Sequence, residues 1–333
     1  MGQLELRQIA TKEVWEGFLI SHPYPTSFFQ SWTWGEFERQ QGHPVMNWGI
    51  YLGEALQCLA LAVLVRAKRG KYLHIRNGPV TDWSDRERAR EILALFKAEG
   101  IKAGCDFIRI SPLLPKSPEN DQLFKSLGCT DSQMHDVDAE VTWLLDLNQT
   151  EEQILAGMRK TTRYLIKQGL KTEDLEVIAT RDANYLQQFW EIYQETVQRQ
   201  KWNAYSLKYI REEFEQFVRN DQALLFLARY QGKFISASIF IYYLDTAYYH
   251  HSGSLSEYRN IPAMYLLQWQ SILEAKKRGL KKYNFFGISR SDDPKHPWAG
   301  LTLFKKGFGG YKQEWIHALD LPIKKKYWFT HYY

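Results

Sequence analysis

The chain has 333 residues, a length that fits two domains better than one; at 44% hydrophobic and 15% aromatic it can build large cores and amphipathic surfaces. Cys58, Cys105 and Cys129 are scattered and odd in number, which argues against a disulfide framework and fits a reduced, cytoplasmic compartment. The net charge of +5 is mild, but Lys276 to Tyr333 holds thirteen Lys and Arg against four acids. A solvated face, an RNA or nucleotide phosphate, and an anionic membrane surface all fit that excess. The N-terminal MGQLELRQIATKEVW has no signal-peptide apolar region, and the longest apolar run, ALQCLALAVLV at 55–65, is too short to span a bilayer.

In chain order, LELRQIA predicts a strand, and TKEVWEGFLISH and SWTWGEFERQQG predict helices. NWGIYLG, ALQCLALAVLVRA and KYLHIRNGPV predict three strands with glycine-containing turns. SDRERAREILALFKAEGIKAG predicts an amphipathic helix capped by Ser84; CDFIRISP a strand; NDQLFKSLG a short helix; DAEVTWLLDL a closing strand. The second half repeats the order. TEEQILAGMRKTTRYLIKQGLK is helical, with Thr150 as cap and Glu151 and Glu152 in its first turn. LEVIAT is a strand, and DANYLQQFWEIYQETVQRQ and SLKYIREEFEQFVRN are helices. ALLFLARYQGKFISASIFIYYLDTAYYHHSGS gives three antiparallel strands turning at Gly232 and Asp245, followed by the helix PAMYLLQWQSILEAKKRG and the strand KKYNFFGI.

Helices, a meander, a helix and a strand thus occur twice, in the order of a GNAT-type acyltransferase core. The expected fold is α/β: two GNAT-like domains in tandem, with mixed, mostly antiparallel sheets flanked by helices. The expected division is 1–145, with 317–333 returning to it, and 146–316.

Several chemistries are missing. There is no phosphate-binding P-loop, no dinucleotide fingerprint, no HExxH and no GxSxG. Among nine histidines only His250 and His251 are adjacent, and neighbours on a strand face opposite ways, so no metal site is expected. A CoA-binding turn should open the helix at MYLLQWQ, but EYRNIPAMYLL keeps only Arg259 and places Pro262, which has no N–H, where backbone donors are needed.

GLTLFKKGFGGYKQEW, residues 300–315, sets Lys305 and Lys306 among apolar residues and glycines. On a short helix or turn packed on a core adjacent side chains diverge, so one lysine can reach solvent while the other points inward. An inward ammonium is costly unless its charge is used.

YYHHSGSLSEYRNIPAMYLLQWQSILEAKKRGLKKYNFFGIS with LTLFKKGFGG, and WLLDLNQTEEQILAGMRKTTRYLIKQGLK before it, resemble the FemABX family of non-ribosomal peptidyltransferases. The early FFQSWTWGEFERQQG, which contains Trp34, and the CDFIRISP strand extend the resemblance. It implies transfer of an amino acid from aminoacyl-tRNA to an amine of a peptidoglycan stem peptide, with no cofactor and no metal; a GNAT-fold N-acyltransferase that uses acyl-CoA or another amine acceptor, and a non-catalytic tRNA-binding module, are the alternatives. No heptad insertion is visible, as in compact members without a coiled-coil arm.

The resemblance implies that Lys305, after Phe304, acts beside the 3′ end of the tRNA, where a fixed cation stabilises charge developing on the ester oxygens. Tyr209 and Tyr249 match aromatic positions around the acceptor. Tyr205 stands where compact members carry a phosphate-binding arginine, His251 where they carry a second tyrosine, and Ser111 where one relative has an aspartate. His251 reads either as a base for the attacking amine or as a hydrogen-bonded pocket histidine. Arg159, Lys160, Arg163 and Lys167 fall on a helix as a cationic stripe for tRNA or diphosphate, or as a solvated face. The basic, aromatic tail IKKKYWFTHYY fits peripheral contact with the inner face of a membrane that presents a lipid-linked precursor, or a last element of the first domain.

Overall fold

The structure is a computed structural model that describes residues 3–68, 70–133 and 139–332. These form two compact units, Met1–Glu140 with Glu314–Tyr333, and Val141–Gln313. Each is a twisted sheet flanked by helices.

In the first unit the strands are β1 (Leu4–Gln8), β2 (Val45–Leu52), β3 (Ala55–Ala67), β4 (Gly70–Ile75), β5 (Val80–Thr81), β6 (Phe107–Ile110) and β7 (Thr130–Asp131). The helices are α1 (Lys12–Ser21), α2 (Trp32–Gln40), α3 (Arg86–Lys102) and α4 (Pro118–Ser126). The sheet runs β1-β2-β3-β4-β6, then a C-terminal strand (Leu319–Pro322), then β7, with β5 on β3. The apolar run at 55–65 makes up most of β3, buried from Cys58 to Val63. α3 begins one residue later than expected: the Asp85 carboxylate, not Ser84, accepts the Arg88 N–H, because a carboxylate is the better partner for the helix N-terminus. The C-terminal strand pairs antiparallel with β6, and a last helix spans Lys326–Tyr332.

The second unit contains β8 (Val141–Asp146), α5 (Glu151–Gly157), α6 (Lys160–Lys171), β9 (Leu175–Thr180), α7 (Leu186–Gln200) and α8 (Leu207–Val218). The meander β10 (Ala223–Tyr230), β11 (Lys233–Tyr243) and β12 (Thr246–Ser254) follows, then α9 (Ala263–Lys277), β13 (Lys282–Gly287), α10 (Ala299–Lys306) and β14 (Tyr311–Glu314). The first residue of the expected closing strand, Asp138, lies outside the described residues. The single helical stretch expected from Thr150 is two helices: Thr150 and Gln153 close a capping box on α5, and the backbone turns extended at Met158 and Arg159 before α6 starts.

The sheet order is β14-β8-β13-β12-β11-β10-β9. α9 packs with Phe240, Tyr242 and Tyr249 on one face; α7 lies against the other, where Gly253 comes within reach of the Ile192 carbonyl. β12 and β13 run parallel but pair only from Thr246–Tyr248 to Lys282–Asn284. Beyond that the two strands part, and β12 continues to Ser254 with pairing on its β11 side alone. Among the described residues no helix is long and apolar enough to cross a membrane.

Candidate functional site

α10 is eight residues long, and its two lysines diverge as helix geometry requires. Lys306 turns outward, its Nζ 3.1 Å from the Asp292 carboxylate. Lys305 turns inward and is 5% exposed. Its Nζ donates to the Gly287 carbonyl at 2.6 Å and stands 5.9 Å from the Tyr249 ring centre. Gly287 ends β13 and Tyr249 follows the last residue of β12 that pairs with β13, so the ammonium sits where the two strands part. Burial pulls the Lys305 pKa down to about 7.

The glycines after the lysines hold this position. A Cβ on Gly310, whose φ is +96°, would fall 2.1 Å from the Leu144 carbonyl of β8. The Trp143 indole N–H donates to the Gly309 carbonyl at 2.6 Å, and the Arg159 N–H to that of Gly307 at 2.9 Å.

Phe304 and Tyr249 line a pocket of about 440 Å³ that extends over Ser252–Ser256 to the start of α9. Phe304 meets Tyr265 and Phe308 edge-on, at 5.1 and 5.2 Å between ring centres. The exposed guanidinium of Arg259 stands at the rim with no ion-pair partner among the described residues, while Arg199, also at the rim, is held by Ser254, Ser256 and Glu195. Pro262 caps α9, as the sequence requires of a helix start lacking one N–H donor.

Tyr205, Tyr209 and His251 lie on the other face of the sheet. A bulge in β12, opposite Ile239 and Phe240, breaks the alternation between Tyr249 and His251. Tyr249 faces α9, whereas His251 faces α7 and α8, 6.2 Å from the Tyr193 ring and 5.5 Å from that of Tyr205. Tyr205 and Tyr209 are stacked at 4.6 Å, with Tyr205 44% exposed.

The same bulge overturns the expectation that His250 and His251 point apart. Both rings turn to α8, with centres 3.9 Å apart, and each Nε2 meets one oxygen of the buried Glu213 carboxylate, at 2.7 and 2.8 Å. Their attraction holds the Glu213 carboxyl well below its ordinary pKa in spite of desolvation. Glu213 went unnoticed in the sequence, although a signal was there: it lies three residues after Ile210 and four before Phe217, on the apolar stripe of its helix, where a carboxylate must be paired.

The remaining residues lie apart. The Arg163 guanidinium turns back onto the carbonyls of Leu155, Ala156 and Met158 at the end of α5, so it leaves the expected stripe. In the first unit, Trp34 is buried among Phe28, Phe29 and Phe37, and the Arg76 guanidinium lies 3.5 Å from the Phe29 ring. Ser111 Oγ accepts the Asn77 N–H at 2.9 Å.

Two such sheets in one chain, the second splayed between parallel strands beside the start of a long helix, define the tandem GNAT class of fold. The structure resembles that of FemX with a TM-score of 0.83 at 18% identity, over 96% of this chain and 97% of the other. It also resembles a tandem GNAT protein of the clavulanic acid biosynthesis pathway, with a TM-score of 0.61 at 13% identity, over 97% and 99%. The FemAB family model matches residues 10–233 and 229–333, and the chain belongs to that family. Over 91 residues it is 34% identical to aminoacyltransferase FemA of Staphylococcus epidermidis and 31% identical to that of Staphylococcus aureus. Each match spans 27% of this chain and 22% of the length of the relative.

Proposed function

We propose that the chain is an aminoacyltransferase that moves an amino acid from aminoacyl-tRNA to an amine of a peptidoglycan-precursor stem peptide. One observation carries the reading: a buried lysine at the parting of two parallel strands, between residues that line an open pocket. The 3′-terminal aminoacyl ester enters beside Phe304 and Tyr249, with Arg259 at the rim for a terminal phosphate. The acceptor amine comes from the face that carries Tyr205, Tyr209 and His251 and meets the ester through the opening between β12 and β13.

The acceptor nitrogen forms a bond to the ester carbonyl carbon, and the bond from that carbon to the ribose oxygen breaks. An ammonium has three donors. The Gly287 carbonyl takes one of Lys305, which leaves two for the oxyanion and the departing ribose oxygen. A pKa near 7 suits a group that gives a proton to the leaving oxygen and regains one from the attacking amine. Positioning and charge stabilisation supply the rate, with no covalent enzyme intermediate.

Family membership and the FemA and FemX likenesses support an acyl-transfer reading. The α9 start, with Pro262 at its cap, supports a donor other than CoA. We assign the basic, aromatic C-terminal end to peripheral membrane contact at a lipid-linked acceptor: Lys324, Lys325 and Lys326 precede Trp328 and Phe329, which are 44% and 71% exposed. Trp34 and Ser111 are proposed substrate-binding residues.

Incubation with a charged tRNA pool and a stem-peptide precursor, followed by mass spectrometry, tests the reading. The expected product is the precursor plus one or more amino-acid residues, dependent on charged tRNA. No mass gain, together with thermal stabilisation by acetyl-CoA and none by charged tRNA, overturns it.

A further inference from the structure

Glu213, His250 and His251 form a cluster on the acceptor face to which the transfer step assigns no bond and no proton. One carboxylate oxygen and one ring nitrogen of each histidine all lie within 4.8 Å of one another, and both Nε2 atoms meet the carboxylate. The arrangement depends on the β12 bulge, since regular pleating would send one ring to each face. A bulge gives up ladder pairing, and here it aims two imidazoles at one point.

Glu213 is 2% exposed and His251 7%. A carboxylate in the protein interior is costly unless opposite charge compensates it. A divalent cation held by all three groups supplies that charge and takes the ring nitrogens as ligands.

We propose that Glu213, His250 and His251 bind one divalent transition-metal ion of the zinc class. Two nitrogens and one carboxylate oxygen are the ligand set of zinc sites that keep a fourth position open. Ligand atoms around a tetrahedral zinc ion stand about 3.3 Å apart, from bond lengths of about 2.0–2.1 Å. The present separations of 2.7 and 2.8 Å are those of N–H···O hydrogen bonds. The ion therefore takes the place of the two N–H···O contacts, each ring then carrying its proton on Nδ1, and moves the carboxylate back by about half an ångström. The His250 side chain is 13% exposed, so the cluster has one edge toward solvent. The fourth position there takes water or an oxygen ligand, a carboxylate or phosphate.

The full chain, stripped with chelator, is titrated with Zn²⁺ by calorimetry and with Co²⁺ by visible absorbance. One ion per chain is expected, with the intense d–d bands of a four-coordinate cobalt site. Saturable binding is expected to be lost in Glu213→Gln and in His250→Ala, and kept in His43→Ala, a change at a half-exposed histidine of the first unit. Unchanged far-UV circular dichroism separates lost binding from lost folding; if either variant does not fold, the cobalt spectrum of the unaltered chain decides. Weak six-coordinate cobalt bands, non-stoichiometric zinc binding, or zinc binding that persists in a folded Glu213→Gln chain overturns the proposal, and the trio is then a hydrogen-bonded cluster only.

Discussion

Arg109 and Asp320 are 211 positions apart in sequence and form a buried two-point ion pair, Nε to Oδ1 at 2.8 Å and Nη2 to Oδ2 at 2.9 Å. The pair bridges β6 and the C-terminal strand, where the two residues are register partners, and the Tyr327 hydroxyl adds a third hydrogen bond to the carboxylate. It secures the returning end of the chain to the first unit. Removing one partner strands the other charge in the interior. Asp320→Ala is therefore expected to lower unfolding free energy by about 3–5 kcal/mol, read by urea denaturation. Substitution of the exposed Asp131 on β7 should change it by no more than about 0.5 kcal/mol.

For Lys305 the expected consequence is kinetic. Lys305→Met keeps much of the side-chain volume and removes the ammonium. Single-turnover transfer should fall about 100- to 1000-fold, the usual effect of removing one oxyanion donor. Binding of charged tRNA, measured separately, should change far less. An unchanged transfer rate would end the assignment of Lys305.

The same residue makes stability depend on pH in a defined direction. Its pKa is about 7 in the folded chain against 10.5 for a free lysine, so the folded state binds that proton more weakly. Between those values the unfolded chain holds the extra proton, and stability contributed by this group rises with pH. Urea denaturation from pH 7 to 10 should show an upward slope of about 1 kcal/mol per pH unit that is absent in Lys305→Met. Equal slopes in the two proteins would show that Lys305 is not buried as described.

Gly253 offers a test of the packing that carries the site. A Cβ there would lie 2.8 Å from the Ile192 carbonyl oxygen and 2.9 Å from Tyr193 Cα, both backbone atoms of α7. Neither can rotate away. Gly253→Ala should cost about 1–3 kcal/mol by pushing α7 off β12, seen as a lowered thermal midpoint. Gly232→Ala, in a hairpin turn with nothing within 4 Å, meets no such clash and is disfavoured only by its φ of +82°.

Much of this architecture could be read from local chemistry. The hairpin turns at Gly232 and Asp245, the Thr150 cap and the buried run in β3 follow from turn residues, capping groups and apolar pattern, which act within a few positions of the chain. The opposite directions of Lys305 and Lys306 follow from one turn of helix. The helix break at Met158 was not legible, because its cause is distant: the turn is held by the Gly307 carbonyl and by Arg163 folding back on α5.

What the sequence by itself determined is the order of most elements, the tandem class of fold and a pair of adjacent lysines of which one could turn inward. Only the tertiary structure decided which site residues share a face. A single bulged position in β12 puts Tyr249 with Lys305 and turns both histidines to Glu213, and strand register is set by partners far along the chain. Local pattern carries side-chain direction along a regular strand, but where one residue is inserted into the ladder, pairing with β11 and packing against α7 and α8 choose the direction instead.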